Sequence, residues 1–150
     1  MRTFILSFFL LFNTLNFVSA QNNENEKELI KNVIQTAYID GLHNKGELDL
    51  IEEGFHPGFN LLGVRDNSLT VYPIYTWIES YKKRKTDDPA PLSTEQKITC
   101  NYLQIDITGN AAMSKIELYK NGSLLFTDYL FLYKFNEGWR IVSKIYYKHN

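Results

Sequence analysis

The 150-residue chain has one cysteine, three histidines and four prolines. A single thiol, Cys100, excludes an internal disulfide, so the fold must rest on its hydrophobic core. The histidines, His43, His56 and His149, have no paired spacing and stand far along the chain from the cysteine, which leaves no pattern for a metal site. An excess of one charge is lacking too: 16 Lys and Arg face 17 Asp and Glu. Such a balance gives no electrostatic footprint for nucleic acid or for an anionic membrane. There is no G-x-S-x-G, no phosphate loop and no Cys–His arrangement, and nothing asks for a cofactor. Internal repeats and low-complexity segments are absent. What is plentiful is aromatic side chains, with ten Tyr and ten Phe.

The one long apolar run is at the start. Arg2 precedes Phe4 to Leu11, and Val18-Ser19-Ala20 ends the segment in small residues. That order predicts a secretory signal peptide over 1–20, cleaved after Ala20. A membrane anchor is the competing reading, but Asn13, Thr14 and Asn16 cut the run short of the roughly 20 apolar residues a span needs. No Cys follows the cleavage point to carry a lipid. The expectation is an exported protein, periplasmic or secreted, with a loose polar 21–25 and one domain over 26–150.

Leu29, Ile30, Val33, Ile34, Ala37 and Tyr38 form one stripe of a helix that Asn23 or Asn25 would cap and that Gly41 and the following HNKG segment would end. A second helix is expected over ELDLIEEGF, with Leu48, Ile51 and Phe55 on one face and Pro57-Gly58 as its stop. FNLLGV reads as a short apolar strand, and RDNSLTVYP as a loop or a poor edge strand. Pro73 opens a third helix whose apolar face holds Ile74, Trp77, Ile78 and Tyr81. Lys82, Lys83, Arg84 and Lys85 in its last turn read as a solvated end favoured by the helix dipole. Everything after Thr94 reads as strand, broken by turns at GNA, at Asn121-Gly122 and at NEG, which makes a four-stranded antiparallel meander. Asn121-Gly122-Ser123 also fits the N-glycosylation pattern, though its role as a hairpin turn suffices.

Neither face of the last hairpin is cleanly polar. One parity holds Thr127, Tyr129, Phe131, Tyr133 and Phe135, and the other Asp128, Leu130, Leu132 and Lys134. In the last strand, strict alternation puts Trp139, Ile141, Ser143, Ile145 and Tyr147 together, opposite Arg140, Val142, Lys144 and Tyr146. Three helices cover one face of a sheet, not two. The other face is therefore expected to pack on a second subunit as a homodimer.

The order of elements, with YIDGLHNKGELDLIEEGFHP (38–57), ITGNAAMSKIEL (107–118) and DYLFLYKFNEGWRIVSK (128–144), resembles the NTF2-like superfamily (nuclear transport factor 2, SnoaL-like, cystatin-like cone), within it the branch named Putative lumazine-binding. The resemblance implies an α+β fold in which N-terminal helices close the concave face of a curved, mainly antiparallel sheet. It also implies a small-ligand cavity in the cone and a dimer through the sheet. Against the ketosteroid isomerase type of that superfamily, which uses a carboxylate base with a Tyr and a protonated Asp, Tyr38 stands at the phenol position. The base position is Gly63 and the acid position Phe131, so that chemistry has no means here. No residue reads a pteridine specifically.

Three carboxylate or imidazole groups remain as catalytic candidates: Asp40, His56 and Asp128. Asp40 and His56 form either a carboxylate–imidazole base or a pair that fixes helix ends. Asp128, between apolar neighbours, would need Lys144 or a tyrosine hydroxyl as partner, or else meet a ligand. Trp77 and Tyr81 either stack on a flat ligand or belong to the core. The expected binding set is Tyr38, His56, Trp77, Tyr81, Tyr129, Phe131 and Lys144. The leading reading is a non-catalytic cone that binds a small apolar or aromatic molecule. The alternatives are an enzyme built on Asp40, His56 or Asp128, and a purely structural dimeric module with its cone packed solid.

Overall fold

The computed structural model describes residue 21 and residues 23–150; the proposed signal segment lies outside the described residues. Helix α1 is α-helical over 23–33 and continues as a π-helical stretch, Ile34–His43. It is followed by α2 (Leu48–Gly54), β1 (Phe55–Arg65), β2 (Ser68–Pro73), α3 (Ile74–Asp87) and a 3₁₀ turn at Thr94–Gln96. The meander then runs β3 (Ile98–Thr108), β4 (Ala111–Lys120), β5 (Ser123–Phe135) and β6 (Gly138–Lys148). One sheet holds all six strands in the order β2-β1-β6-β5-β4-β3. Only β1 and β6 run parallel. This is the expected α+β cone, with the helices against the concave face.

The wide π turn places Ile34, Ala37, Tyr38, Ile39, Gly41 and Leu42 against the sheet. π-helices are rare, and most are single-turn bulges inside α-helices. Nothing in the sequence announced this one. Asn44 ties its end to β3 by donating to the Ile98 carbonyl and accepting from the Ile98 N–H, both at 2.8 Å. At its other end Glu26 accepts from Trp139 Nε1 and Lys134 Nζ, each at 2.7 Å. Tyr81 on α3 donates to the Gly46 carbonyl and so locks α3 to the α1–α2 loop. Gly54 lets α2 lie against α1, since a Cβ there would stand 2.2 Å from Ala37 Cβ.

Four local expectations are corrected. Residues 23–25 are helical, so neither Asn23 nor Asn25 is the cap; a Glu24–Lys27 pair at 2.7 Å lies along that turn. Leu29 is 51% exposed and does not join the buried stripe. Phe55 starts β1 instead of ending α2, and Pro57-Gly58 lies in the irregular stretch between the β1–β6 pairs Phe55–Ile141 and Asn60–Ser143. Strict alternation also fails in β6. Leu132 pairs with Ile141 but Phe131 pairs with Ser143, so Val142 is an extra residue on β6. The side-chain period slips by one at such a bulge. Trp139 and Ile141 before it, and Lys144 after it, are all buried on the helix side, whereas Ile145 and Tyr147 are exposed on the other.

The faces sort accordingly. On β4, Ala112, Ser114, Ile116 and Leu118 are buried, and opposite them on β5 stand Leu132, Leu130, Asp128 and Phe126. The aromatic parity of β5 is the outer one: Phe131, Tyr133 and Phe135 are exposed.

Candidate ligand site

Three elements bring three polar side chains to the middle of the cone. The π segment supplies Tyr38, the inner parity of β5 supplies Asp128, and the Val142 bulge aims Lys144 inward. Tyr38 and Asp128 are fully buried and Lys144 is 5% exposed. The Tyr38 hydroxyl donates to Asp128 Oδ2 at 2.6 Å. Lys144 Nζ donates to the same Oδ2 and to the Tyr38 oxygen, both at 2.8 Å. Three rings surround the ammonium: the centroids of Tyr146, Tyr38 and Trp77 lie 5.0, 5.2 and 5.7 Å away. A carboxylate and three π faces together offset the desolvation of a buried cation.

An ammonium has three N–H bonds and two are used. The third has no partner among the described residues. Asp128 Oδ1 and His43 Nε2 are likewise buried without a hydrogen bond. Burial pushes the Lys144 pKa down, with Asp128 opposing. Burial and then the Asp128 charge push the Tyr38 phenol well above its ordinary value, so it stays a donor. His43 sits edge-on to Tyr38 at 4.6 Å. Burial first, then the charges of Lys144 and Arg84, bring its pKa down to about 3, so its ring is neutral at ordinary pH.

A cavity of about 190 Å³ opens over this cluster, lined by Tyr38, His43, Leu61, Trp77, Phe126, Lys144 and Tyr146. It adjoins an outer cleft of about 590 Å³ between the β1–β2 hairpin and α3, because Leu61, Trp77 and Tyr146 line both. The cone is not packed solid. Lys144 brings one N–H without a partner to it and Trp77, Tyr146 and Phe126 bring aromatic rings, an arrangement suited to a flat ring with an acceptor at one edge.

Of the expected binding residues, Tyr38, Trp77 and Lys144 line the cavity. Tyr81 is buried but turned to the Gly46 carbonyl. Tyr129 and Phe131 belong to the outer face, because Leu130 between them points inward. His56 lies outside the cavity, stacked on Phe135 with centroids 4.9 Å apart, and its Nδ1 accepts from the Gly58 N–H at 3.0 Å. Asp40 is exposed and accepts from Gln35 at 3.0 Å. No hydrogen bond joins Asp40 to His56; each is bonded within its own element. Asp128 has the partners expected for it, Lys144 and a tyrosine hydroxyl. Gly63 lines the outer cleft.

Sequence reasoning missed His43, Leu61, Phe126 and Tyr146. Tyr146 had a usable signal, since it shares parity with Lys144. His43 had none, because its place depends on the π turn. Among the described residues, no group of three or more His, Cys, Asp or Glu is placed to hold a metal ion.

The family model described as Putative lumazine-binding matches residues 25–147. A comparison with curated proteins finds no match. Among solved structures, an NTF2-like protein of unknown function from Shewanella baltica OS155 is 29% identical, with a TM-score of 0.64 over 84% of this chain and 95% of that one. An NTF-2 like protein of unknown function from Silicibacter pomeroyi DSS-3 is 18% identical, with a TM-score of 0.67 over 85% and 98%. One from Methylobacillus flagellatus KT is 20% identical, with a TM-score of 0.61 over 84% and 94%. The last two bear on the fold alone.

Proposed function

The chain belongs to the Putative lumazine-binding family of the NTF2-like superfamily, and from that premise we propose that it binds a small, flat, mostly apolar or aromatic molecule in its cone. The observation that carries this reading is the aromatic cavity that Trp77 and Tyr146 line together with Lys144, an ammonium with two of its three N–H bonds used. A carbonyl or similar acceptor at the inner edge of the ring completes the lysine, and the ring itself packs against Trp77. Lumazine-like bicycles have that form, which agrees with the family's description. The test is calorimetric titration with lumazine and with 2-naphthamide, both flat bicycles bearing carbonyls. The expected result is one saturable site per chain that Trp77→Ala abolishes. No saturable heat from either compound contradicts the proposal.

The same reading includes a homodimer through the outer face of the sheet. Its support is the exposure of Phe131 and Tyr133 on β5 and of Ile145 and Tyr147 on β6, all on the outer face. Apolar patches of this kind on one face are usually covered. Export is proposed from Arg2, the apolar run and Ala20 alone. No helix of the described residues is long and apolar enough to cross a membrane.

A further inference from the structure

The inner cavity, about 190 Å³, is smaller than the roughly 300–1,000 Å³ of ordinary small-molecule sites. A ligand seated on Lys144 therefore extends into the adjoining cleft of about 590 Å³. That cleft differs in chemistry from the chamber it leads to. Arg65 at the end of β1 and Arg84 on α3 line it, together with Thr70, Tyr72 and Ser80. No acidic side chain lines it, and none of the ion pairs among the described residues includes Arg65 or Arg84. In a chain whose charges nearly cancel, two arginines without carboxylate partners at the mouth of an aromatic cavity are a local feature.

Arg84 is held in place from behind, donating to the Leu42 carbonyl at 3.1 Å and leaving the rest of its fork of donors for another group. Burial is the main reason that His43 stays neutral, and the charges of Lys144 and then Arg84 add to it. Lys144 does not compete for an anion on equal terms, because Asp128 already balances its charge at 2.8 Å.

We propose that the natural ligand is amphipathic and anionic: a flat aromatic ring in the inner cavity, with a carboxylate or a group of like charge held at the mouth by Arg65 and Arg84. This rests on the cavity being the ligand site and adds the class of ligand. Arginine suits the role because its planar fork takes a carboxylate with two parallel hydrogen bonds.

The test is a matched pair of probes, 2-naphthoate and 2-naphthamide, which share size and ring and differ in charge. Each is titrated calorimetrically into the purified protein and into the variants Arg65→Gln and Arg65→Gln/Arg84→Gln. A thermal melt checks that each variant is folded. With a charged hydrogen bond contributing on the order of 1.5–3 kcal/mol, naphthoate is expected to bind at least about tenfold tighter than the amide. Arg65→Gln reduces that ratio and the double variant brings it close to one. Equal affinity of both probes for the unaltered protein overturns the anionic mouth but leaves the cavity as a ligand site. A naphthoate preference that survives in the double variant also overturns it, and places the anion elsewhere. If neither probe binds, the cavity reading falls and this inference falls with it.

Discussion

Replacing Lys144 by methionine tests the polar core of the cone. The side chain of Lys144 is 6% exposed and that of Asp128 is not exposed at all. In Lys144→Met the carboxylate keeps a single donor, Tyr38, because Oδ1 has none already. Breaking a buried pair from one side costs about 3–5 kcal/mol, since the remaining charge is left uncompensated. Urea unfolding at pH 7 should show that loss. Asp128→Leu/Lys144→Met, which removes both charges, should recover most of the loss, because buried pairs exchange for apolar groups at little net cost. A single-variant loss below about 1 kcal/mol, or a double variant no more stable than the single one, refutes the reasoning.

Three further outcomes are expected. His43, whose pKa burial brings down to about 3, stays neutral in the folded state, so stability present above about pH 6.5 should fall with acid at up to about 1.4 kcal/mol per pH unit; NMR titration should find its ring unprotonated at pH 5, and a midpoint near 6.5 would show it hydrated. Gly54→Ala should cost about 1–3 kcal/mol, because its Cβ meets Ala37 Cβ at 2.2 Å, and a thermal melt within a degree of the parent would mean that α1 and α2 separate freely. Phe131→Lys on the outer face should leave the protein folded but monomeric by light scattering; a dimer unaffected by it places the interface elsewhere.

Most of the architecture was legible because period and punctuation agree. Asn121 and Gly122 both have positive φ, +49° and +75°, as the two-residue hairpin there requires. Pro73 does precede α3. The site was legible only in part. Tyr38, Trp77 and Lys144 stand out by residue type, and Asp128 by its apolar neighbours. What hid the rest is register. An extra Val142 in β6 reverses the facing of every residue after it, and a strand pattern that is apolar at both parities gives no warning of the slip. The same doubled pattern left Tyr129 and Phe131 open as cavity residues until the inward side of β5 was known. The contact of His43 with Tyr38 within α1 depends on a π turn that local propensity does not encode.

The most direct measurement is native mass spectrometry of the protein purified from its own host. A filled cavity predicts that the folded chain carries a stoichiometric small-molecule mass, that this mass is anionic and aromatic once released, and that Trp77→Ala loses it. Bare protein mass alone, with no mass gained when 2-naphthoate or lumazine is added, contradicts the account.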